Sequence, residues 1–177
     1  MEIFVVRHGQ TDWNVCHKVQ GSCDIELNDK GIEQAGITAE KLKSDDFDII
    51  ICSPLKRARQ TAEIINQGRN ILIIYDDRIA ERNFGDYEGK VVDFKDVGPL
   101  WNYNLNYNLQ NIEPVRDFFA RVYTFLDEVK EKYKDKSVLL VCHGGVSIPI
   151  QCYFNKIPED GKLPYGLENC EVRKFVY

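Results

Sequence analysis

Four side chains that could bind or attack a phosphate group lie close behind short apolar runs of the sequence: Arg7, His8, Arg57 and His143. Arginine presents a planar fork of N–H donors that matches phosphate oxygens, and it stays charged at physiological pH. A neutral histidine presents a lone pair that can attack phosphorus when its other ring nitrogen donates a hydrogen bond. These residue types together indicate phosphoryl chemistry, with histidine as the candidate nucleophile.

The apolar runs before these side chains predict the strands that position them, over residues 3–6, 48–52, 71–75 and 138–142. Continuous apolar runs of this length are typical of strands buried on both faces of a sheet. Ligands bind at the carboxyl ends of parallel strands in such sheets, so we expect the four side chains to converge on one rim. Gly9 lies at the first strand end, where we expect it to let the backbone turn close to the phosphate.

Helical patterns separate the predicted strands, over residues 29–42, 53–66 and 115–133. Asn28 is suited to cap the first helix, and Ser53 followed by Pro54 is suited to cap and begin the second. A last strand is expected over residues 170–177, paired antiparallel at the edge of the sheet. The predicted fold class is α/β: a three-layer α/β/α arrangement whose mostly parallel central sheet has an antiparallel C-terminal edge strand.

Length and composition predict a single domain over residues 1–177. The chain is 44% hydrophobic, which is enough for a sizeable core, and no Pro- or Ser-rich linker divides it. Residues 83–114 lack a regular period and predict a small cap or insertion. Its apolar and aromatic side chains would either roof the site or pack as ordinary core residues: Trp101, Tyr103, Leu105 and Tyr107.

The charge balance argues against several classes of partner. A net charge of −5 and a pI near 5.3 disfavour nucleic acid or an acidic membrane surface as the binding partner. No apolar run approaches the roughly 20 residues of a membrane span, and Glu2 stands where an export signal would be basic.

Six cysteines are too few for a disulfide scaffold of this size. We therefore expect a cytoplasmic protein with reduced thiols.

Five motifs follow one another along most of the chain: RHGQTDWN at 7–14, VQG at 19–21, SPLKRARQT at 53–61, ERNFGDYEG at 81–89 and CHGG at 142–145. In this order they resemble the histidine phosphatase (phosphoglycerate mutase-like) superfamily. The resemblance implies a phosphoglycerate mutase-like fold and a phosphomonoesterase of the histidine acid phosphatase type. With three histidines and no matching carboxylate cluster, the sequence also disfavours a catalytic metal. We expect no other cofactor, and the sequence does not fix an oligomeric state.

Carried over to this sequence, the resemblance implies that His8 becomes phosphorylated while Arg7, Arg57 and His143 bind the phosphoryl oxygens. Glu81 matches the proton donor to the leaving oxygen and, in the second half of the reaction, the base that activates water. Further positions match contacts to the phosphate or the substrate: Asn14, Gln20, Gly21 and, through its backbone, Gly144.

Three other functions stay open beside a phosphatase: a mutase, a phosphate-binding module without catalysis, and a cysteine-based phosphatase. The interval between Lys95 and Arg116 holds no Lys or Arg, whereas the glycolytic mutases carry basic residues in this insertion. The aromatic roof also favours a small phosphate monoester with an apolar or planar leaving portion. A cysteine-based phosphatase needs five residues between thiolate and arginine, but four separate Cys52 from Arg57, and Cys52 at a strand end is expected to be buried.

Several charged residues near these motifs also have an interpretation that involves no role in catalysis. Arg82 stands next to Glu81, and the two could form a surface ion pair. We expect His17 to be solvated, because it matches no position of the family. Arg59 lies two residues after Arg57 and is therefore expected to face away from the site.

Overall fold

A five-stranded sheet runs through the computed structural model, which describes residues 1–109 and 111–177 and the side chains of all of these except Phe94 and Asp96. Its strands are, in chain order, β1 (Glu2–Arg7), β2 (Ile49–Cys52), β3 (Ile73–Tyr75), β4 (Ser137–Cys142) and β5 (Val172–Val176). Their spatial order is β3-β2-β4-β1-β5. β5 pairs antiparallel with β1 and every other pairing is parallel, which confirms the predicted sheet.

The helices of the described residues are α1 (Asp12–Val15), α2 (Asp29–Lys41), α3 (Lys56–Ile65), α4 (Phe94–Val97), α5 (Val115–Lys132) and α6 (Gly144–Asn155). α2 and α3 pack on one face of the sheet, while α5 and α6 pack on the other. This confirms the three-layer α/β/α arrangement. Within the described residues, no α-helix combines the length and the apolar character needed to cross a membrane.

The alternation of side chains along β1 joins the two apolar layers. Ile3 and Val5 point toward α5 and α6, while Phe4 and Val6 point toward α2 and α3. All four side chains are buried, and burying each one stabilises the fold by roughly 1.5–3 kcal/mol. The strand that ends in Arg7 is thus held from both sides, which fixes the position of the residues that follow it.

α3 begins later than the sequence predicts, because Ser53 is not its N-cap. Leu55 occupies the cap position and makes no side-chain cap hydrogen bond. The Asp24 carboxylate replaces the missing cap by accepting the Lys56 N–H at 2.6 Å, which satisfies one of the exposed N–H groups at the helix start. The Ser53 hydroxyl is thereby free for a contact in the candidate site.

The sequence pattern does not predict α6, although this helix follows β4 directly. All of residues 145–152 are buried, so the helix has no polar face and shows no amphipathic period. In contrast, α5 buries the predicted periodic stripe: Val115, Phe118, Phe119, Val122, Leu126 and Val129. Sequence periodicity therefore finds a helix at the surface of the core and overlooks one inside it.

Residues 83–114 fold into short elements rather than one regular helix or strand. Two 3₁₀ turns, Gly85–Tyr87 and Gly98–Trp101, flank α4. Phe84, Leu100 and Ile112 form a small apolar cluster of their own, apart from the two faces of the sheet. Gln110, part of the predicted irregular stretch, lies outside the described residues.

Candidate active site

The predicted rim forms where the central strands β1 and β4 end side by side. Arg7 pairs with Cys142 in parallel register, and the next residue of each strand is a histidine. The ring centroids of His8 and His143 are therefore only 5.2 Å apart. Arg57 reaches the same rim from the first turn of α3 and is fully buried.

A cavity of about 230 Å³ lies at this rim. Most of the residues that the sequence singles out contribute to its lining: Arg7, His8, Asn14, Gln20, Gly21, Arg57 and Glu81. His143 and Gly144 are not part of this lining. The His143 ring meets the His8 ring edge-on. Gly144 begins α6, where the guanidinium of Arg7 packs 3.3 Å from the position that a Cβ atom would take.

His8 holds one ring nitrogen ready for attack. Its Nδ1 lies 2.7 Å from the carbonyl oxygen of Gly9; because a carbonyl oxygen only accepts, Nδ1 carries the proton and Nε2 carries the lone pair. Burial, followed by the positive charges of Arg57 and Arg7, lowers the pKa of His8 well below its usual value. The ring is therefore neutral at pH 7, with Nε2 available as a nucleophile at the cavity wall.

Ser53 holds His143 in the same Nδ1–H tautomer as His8. The Ser53 hydroxyl oxygen lies 2.7 Å from Nε2 of His143 and already accepts the Leu55 N–H at 3.3 Å. Ser53 is fully buried, and within the described residues its hydroxyl hydrogen has no other acceptor in hydrogen-bond range. Because an unpaired buried O–H is costly, we assign this hydrogen to Nε2, which places the ring proton on Nδ1. Burial, followed by the charge of Arg57, lowers the pKa of His143 well below its usual value, so this ring is also neutral.

Backbone carbonyls anchor the outer N–H groups of both arginines. Arg7 donates from Nη1 to Leu167 at 2.8 Å, and Arg57 donates from Nη1 and Nη2 to Cys23 at 2.6 Å and to Gly21 at 2.8 Å. Burial lowers the pKa of both guanidinium groups. They nevertheless stay charged at neutral pH, so two cations are held rigidly beside the nucleophile.

Three buried nitrogens of the site have no hydrogen-bond partner in the described part of the chain: Nε of Arg7, Nε of Arg57 and Nδ1 of His143. Leaving a buried donor unpaired costs about 1–3 kcal/mol each. An anion with several acceptor oxygens would pair all three donors at once, and charged donors make the strongest such bonds. The site is therefore built to bind a compact oxyanion such as a phosphoryl group.

Glu81 lies between the backbone of α6 and the cavity. One carboxylate oxygen accepts the N–H of Arg82 and the other accepts the N–H of Gly145, both at 2.9 Å. A Cβ atom on Gly145 would lie 2.2 Å from the same carboxylate, so only glycine allows this approach. The two bonds hold the carboxylate beside the phosphate-binding residues, where a proton donor to a leaving oxygen would be needed.

Arg82 is buried and makes no ion pair with Glu81, so the surface-pair interpretation is wrong. Its Nε donates to the Glu113 carbonyl and its Nη1 to the Leu100 carbonyl, each at 2.8 Å. The guanidinium also lies 4.9 Å from the ring centroid of Trp101, in a cation–π contact. Arg82 thereby fixes the insertion against the site, a role that the sequence does not reveal.

The remaining residues that the sequence predicts to contact the phosphate or the substrate are Asn14, Gln20 and Gly21. Asn14 uses Oδ1 to accept the N–H and the hydroxyl of Thr11, both at 3.1 Å, so its side-chain N–H₂ remains for a ligand. Gln20 places an unpartnered Oε1 in the cavity lining. Gly21 has a positive φ of 49°, which glycine adopts freely, and its carbonyl orients Arg57. Gly21 thus lines the cavity and also fixes the orientation of Arg57.

Only part of the predicted roof covers the cavity. Trp101 lines it, as predicted. Tyr103 instead packs on Phe119, with ring centroids 5.1 Å apart, and the exposed Leu105 and Tyr107 are absent from the lining. Tyr103 thus follows the alternative of ordinary core packing, against α5. For Leu105 and Tyr107 the roof interpretation is wrong, because both side chains are exposed and lie outside the cavity lining.

Four other residues that the sequence singles out do not take part in the site. Cys52 is fully buried, and burial raises its thiol pKa well above the usual value, which removes the thiolate that a cysteine phosphatase needs. His17 is exposed, as expected. Arg59 packs its guanidinium over Tyr75. Gly9 has no room for a Cβ because α2 approaches it closely, at Gly31, so contact with this helix rather than with a phosphate accounts for the glycine.

The described residues contain no group of three or more His, Cys, Asp or Glu side chains arranged to hold a metal ion. The charges that face the cavity are instead the two guanidinium groups and the carboxylate of Glu81, together with Lys18 at its exposed edge.

Comparisons with known proteins agree with this geometry. The model of the family described as "Histidine phosphatase superfamily (branch 1)" matches residues 3–177. The "Uncharacterized phosphatase PhoE" of Bacillus subtilis is 41% identical over 80% of this chain and 71% of its own length. "Phosphoglycerate mutase-like protein 4" of Arabidopsis thaliana is 36% identical over 82% of this chain and 67% of its own. The solved structure of Bacillus stearothermophilus YhfR superposes with a TM-score of 0.88 at 30% identity, covering 98% of this chain and 89% of that one.

Proposed function

The chain belongs to the histidine phosphatase superfamily, and from this premise we propose that it hydrolyses a small phosphate monoester through a phosphohistidine formed on His8. Relatives named as phosphatases support a hydrolase. The observation that carries the proposal is the set of three unpaired buried nitrogens, on Arg7, Arg57 and His143, around a neutral histidine with a free lone pair.

In the first step, Nε2 of His8 attacks the phosphorus atom while the bond from phosphorus to the alcohol oxygen breaks. The electron pair of that bond goes to the leaving oxygen, which takes a proton from Glu81 and departs as the alcohol. Arg7, Arg57 and the Nδ1–H of His143 bind the phosphoryl oxygens, whose charge must be stabilised throughout the transfer.

In the second step, Glu81 takes a proton from water as the water oxygen attacks phosphorus. The bond between phosphorus and Nε2 breaks, its electron pair returns to His8, and inorganic phosphate leaves. The hydrogen bond from Nδ1 to the Gly9 carbonyl keeps the same nitrogen exposed through both steps, so the ring needs no rotation. Two guanidinium groups supply the positive charge that a metal ion supplies in other phosphatases, and we propose that turnover needs no metal.

The test is turnover of p-nitrophenyl phosphate, measured with a chelator present. We expect His8→Ala to lose roughly 1,000-fold or more in kcat, because the covalent route is removed. His17→Ala is the matched control at an exposed histidine and should keep full activity. Rapid acid-free quenching should trap an acid-labile phosphoenzyme in the wild type and none in His8→Ala. Full activity in His8→Ala would contradict the mechanism, and a strict need for added metal would contradict the metal-free route.

A mutase is the second candidate, because a relative with 36% identity is named a phosphoglycerate mutase-like protein. A mutase for a bisphosphate must hold a second anionic group, yet Lys18, exposed at the edge, is the single cation beyond the two arginines in the lining formed by the described residues. This disfavours a second phosphate. Incubation with 3-phosphoglycerate and a trace of 2,3-bisphosphoglycerate decides between them: rapid formation of 2-phosphoglycerate would support the mutase, and release of inorganic phosphate without it would support the phosphatase.

A further inference from the structure

A second cavity, of about 320 Å³, adjoins the phosphate-binding cavity. The two cavities share Arg7, Glu81 and Trp101 in their linings. Glu81 therefore stands between them, with His8 and Arg57 on one side only. Since the proposed proton donor must contact the oxygen that joins phosphorus to the alcohol, the second cavity lies where the alcohol portion of a bound ester would extend.

The lining of this second cavity is apolar beyond the shared residues. Ile148, Leu163, Pro164 and Leu167 form its walls. Among the described residues, Arg7 and Glu81 are the charged side chains of the lining, and Arg7 already donates to the Leu167 carbonyl. A ligand with a second anionic group would find no free cation here, whereas an apolar group would be removed from water.

Two loops tied to each other build the wall of the second cavity. Asn102 and Lys162 form an antiparallel bridge, the Tyr103 N–H donates to the Gly161 carbonyl at 3.0 Å, and the side chain of Asn104 donates to the Glu159 carbonyl at 2.9 Å. These bonds join the end of the insertion to the segment after α6. The cavity is therefore walled by paired backbone rather than by a single loose loop.

The far side of the wall is fixed to α6. The Leu167 N–H donates to the Ser147 hydroxyl at 2.9 Å, and Gln151 donates to the Tyr165 carbonyl at 2.9 Å. The Tyr165 side chain itself is 90% exposed, which leaves an aromatic ring at the mouth of the cavity with its surface available to a ligand. A preformed apolar cavity with an aromatic ring at its mouth is typical of a site for an apolar group.

We propose that the second cavity binds the alcohol portion of the substrate and that this portion is an uncharged alkyl or aryl group. The inference rests on the proposed function and adds to it a class of ester and a specificity-determining wall at Leu163. The charge-free walls would select against esters that carry a carboxylate or second phosphate on the alcohol.

Three primary alkyl esters test this inference: ethyl phosphate, hexyl phosphate and 5-carboxypentyl phosphate. Their leaving alcohols are similarly basic, so the chemical step is held constant and kcat/KM reports contacts to the alcohol. Each buried methylene is worth roughly a factor of 3 to 4, and hexyl phosphate has four more than ethyl phosphate, so with full burial we expect it to be preferred by about 80- to 250-fold. The carboxylate-ended ester, of nearly equal length, should lose most of that gain.

A matched pair of variants locates the effect. Leu163→Glu puts a charge on the cavity wall and should lower the ratio of kcat/KM for hexyl phosphate to kcat/KM for ethyl phosphate by roughly 10-fold or more. The ratio cancels any effect of the substitution on folding or on the chemical step. Leu105→Glu makes the same change at an exposed residue outside the lining and should leave both esters unaffected.

The possible outcomes separate the two proposals. Equal turnover of the ethyl and hexyl esters, or a preference for the carboxylate-ended ester, would contradict the proposal that the second cavity binds an apolar group. Neither result would contradict the proposed phosphatase activity. Loss of the hexyl preference in Leu105→Glu but not in Leu163→Glu would place the binding surface on the insertion instead and overturn the inference. Failure to hydrolyse all three esters while p-nitrophenyl phosphate is turned over would overturn this inference and leave the phosphatase standing. Failure with all four substrates would refute the proposed function.

Discussion

The hydroxyl oxygen of Ser53 lies 2.7 Å from Nε2 of His143, and both side chains are fully buried. The contact joins the end of β2 to the end of β4, two neighbouring strands of the sheet. It selects the tautomer in which Nδ1 of His143 donates, and that nitrogen is one of the three unpaired donors of the site. We therefore expect Ser53 to be a positioning residue that acts through His143.

Replacing Ser53 with alanine should lower kcat on the order of 10- to 100-fold, because the ring proton of His143 is no longer directed to Nδ1. The decisive measurement is the nitrogen NMR shifts of the His143 ring, which report its tautomer. They should show a protonated Nδ1 in the wild type and a mixture of tautomers in Ser53→Ala. Ser137→Ala, at the opposite end of β4, serves as the control. A wild-type kcat and an unchanged His143 spectrum in Ser53→Ala would refute the role.

The proton donated by Glu81 should matter most for poor leaving groups. We expect Glu81→Gln to lose on the order of 100- to 10,000-fold in kcat/KM with ethyl phosphate, where the departing alkoxide must be protonated. p-Nitrophenolate departs without protonation, so the loss with p-nitrophenyl phosphate should be at least about 10-fold smaller. Equal losses with both substrates would show that Glu81 only supports the structure.

Stability should decline as the solution becomes more acidic than the usual pKa of histidine. His8 and His143 have pKa values well below their usual value in the folded chain, so below about pH 6.5 the unfolded chain gains protons that the folded one does not. Each histidine then removes up to about 1.4 kcal/mol from the free energy of unfolding per pH unit. Urea unfolding at pH 7.5 and 5.5 measures the difference, and it should be smaller in His8→Asn. An equal difference in that variant would contradict the assignment.

Gly145 should be irreplaceable even by alanine. A Cβ atom there would lie 2.2 Å from the Glu81 carboxylate and 2.9 Å from the Trp101 ring, so Gly145→Ala should displace Glu81 and cost about 1–3 kcal/mol of stability. Turnover of ethyl phosphate should fall with it. Gly36→Ala in α2, where a Cβ meets nothing within 4 Å, should instead add roughly 0.5–1 kcal/mol. Thermal unfolding of both variants compares them, and a neutral Gly145→Ala would be the contrary result.

The sequence predicts the sheet and the rim because apolar runs and the residues behind them are local features. Arg7, His8 and Arg57 follow from their places near strand ends. Ser53 shows what sequence patterns cannot predict. Its position before Pro54 is typical of a helix N-cap, but its hydroxyl forms a hydrogen bond with His143, which is distant in the sequence. The wall at Leu163 is overlooked for a similar reason, because its apolar side chains acquire a role only through pairing with the insertion.

The position of β1 in the sheet has a consequence for the synthesis of the protein. β1 leaves the ribosome before both of its neighbours in the sheet, β4 and β5, which lie far along the sequence. Its apolar faces therefore stay unpaired and prone to aggregation until those two strands have been made. The two histidines meet only when that late pairing closes, so a nascent chain should be inactive and the onset of turnover should report the end of folding.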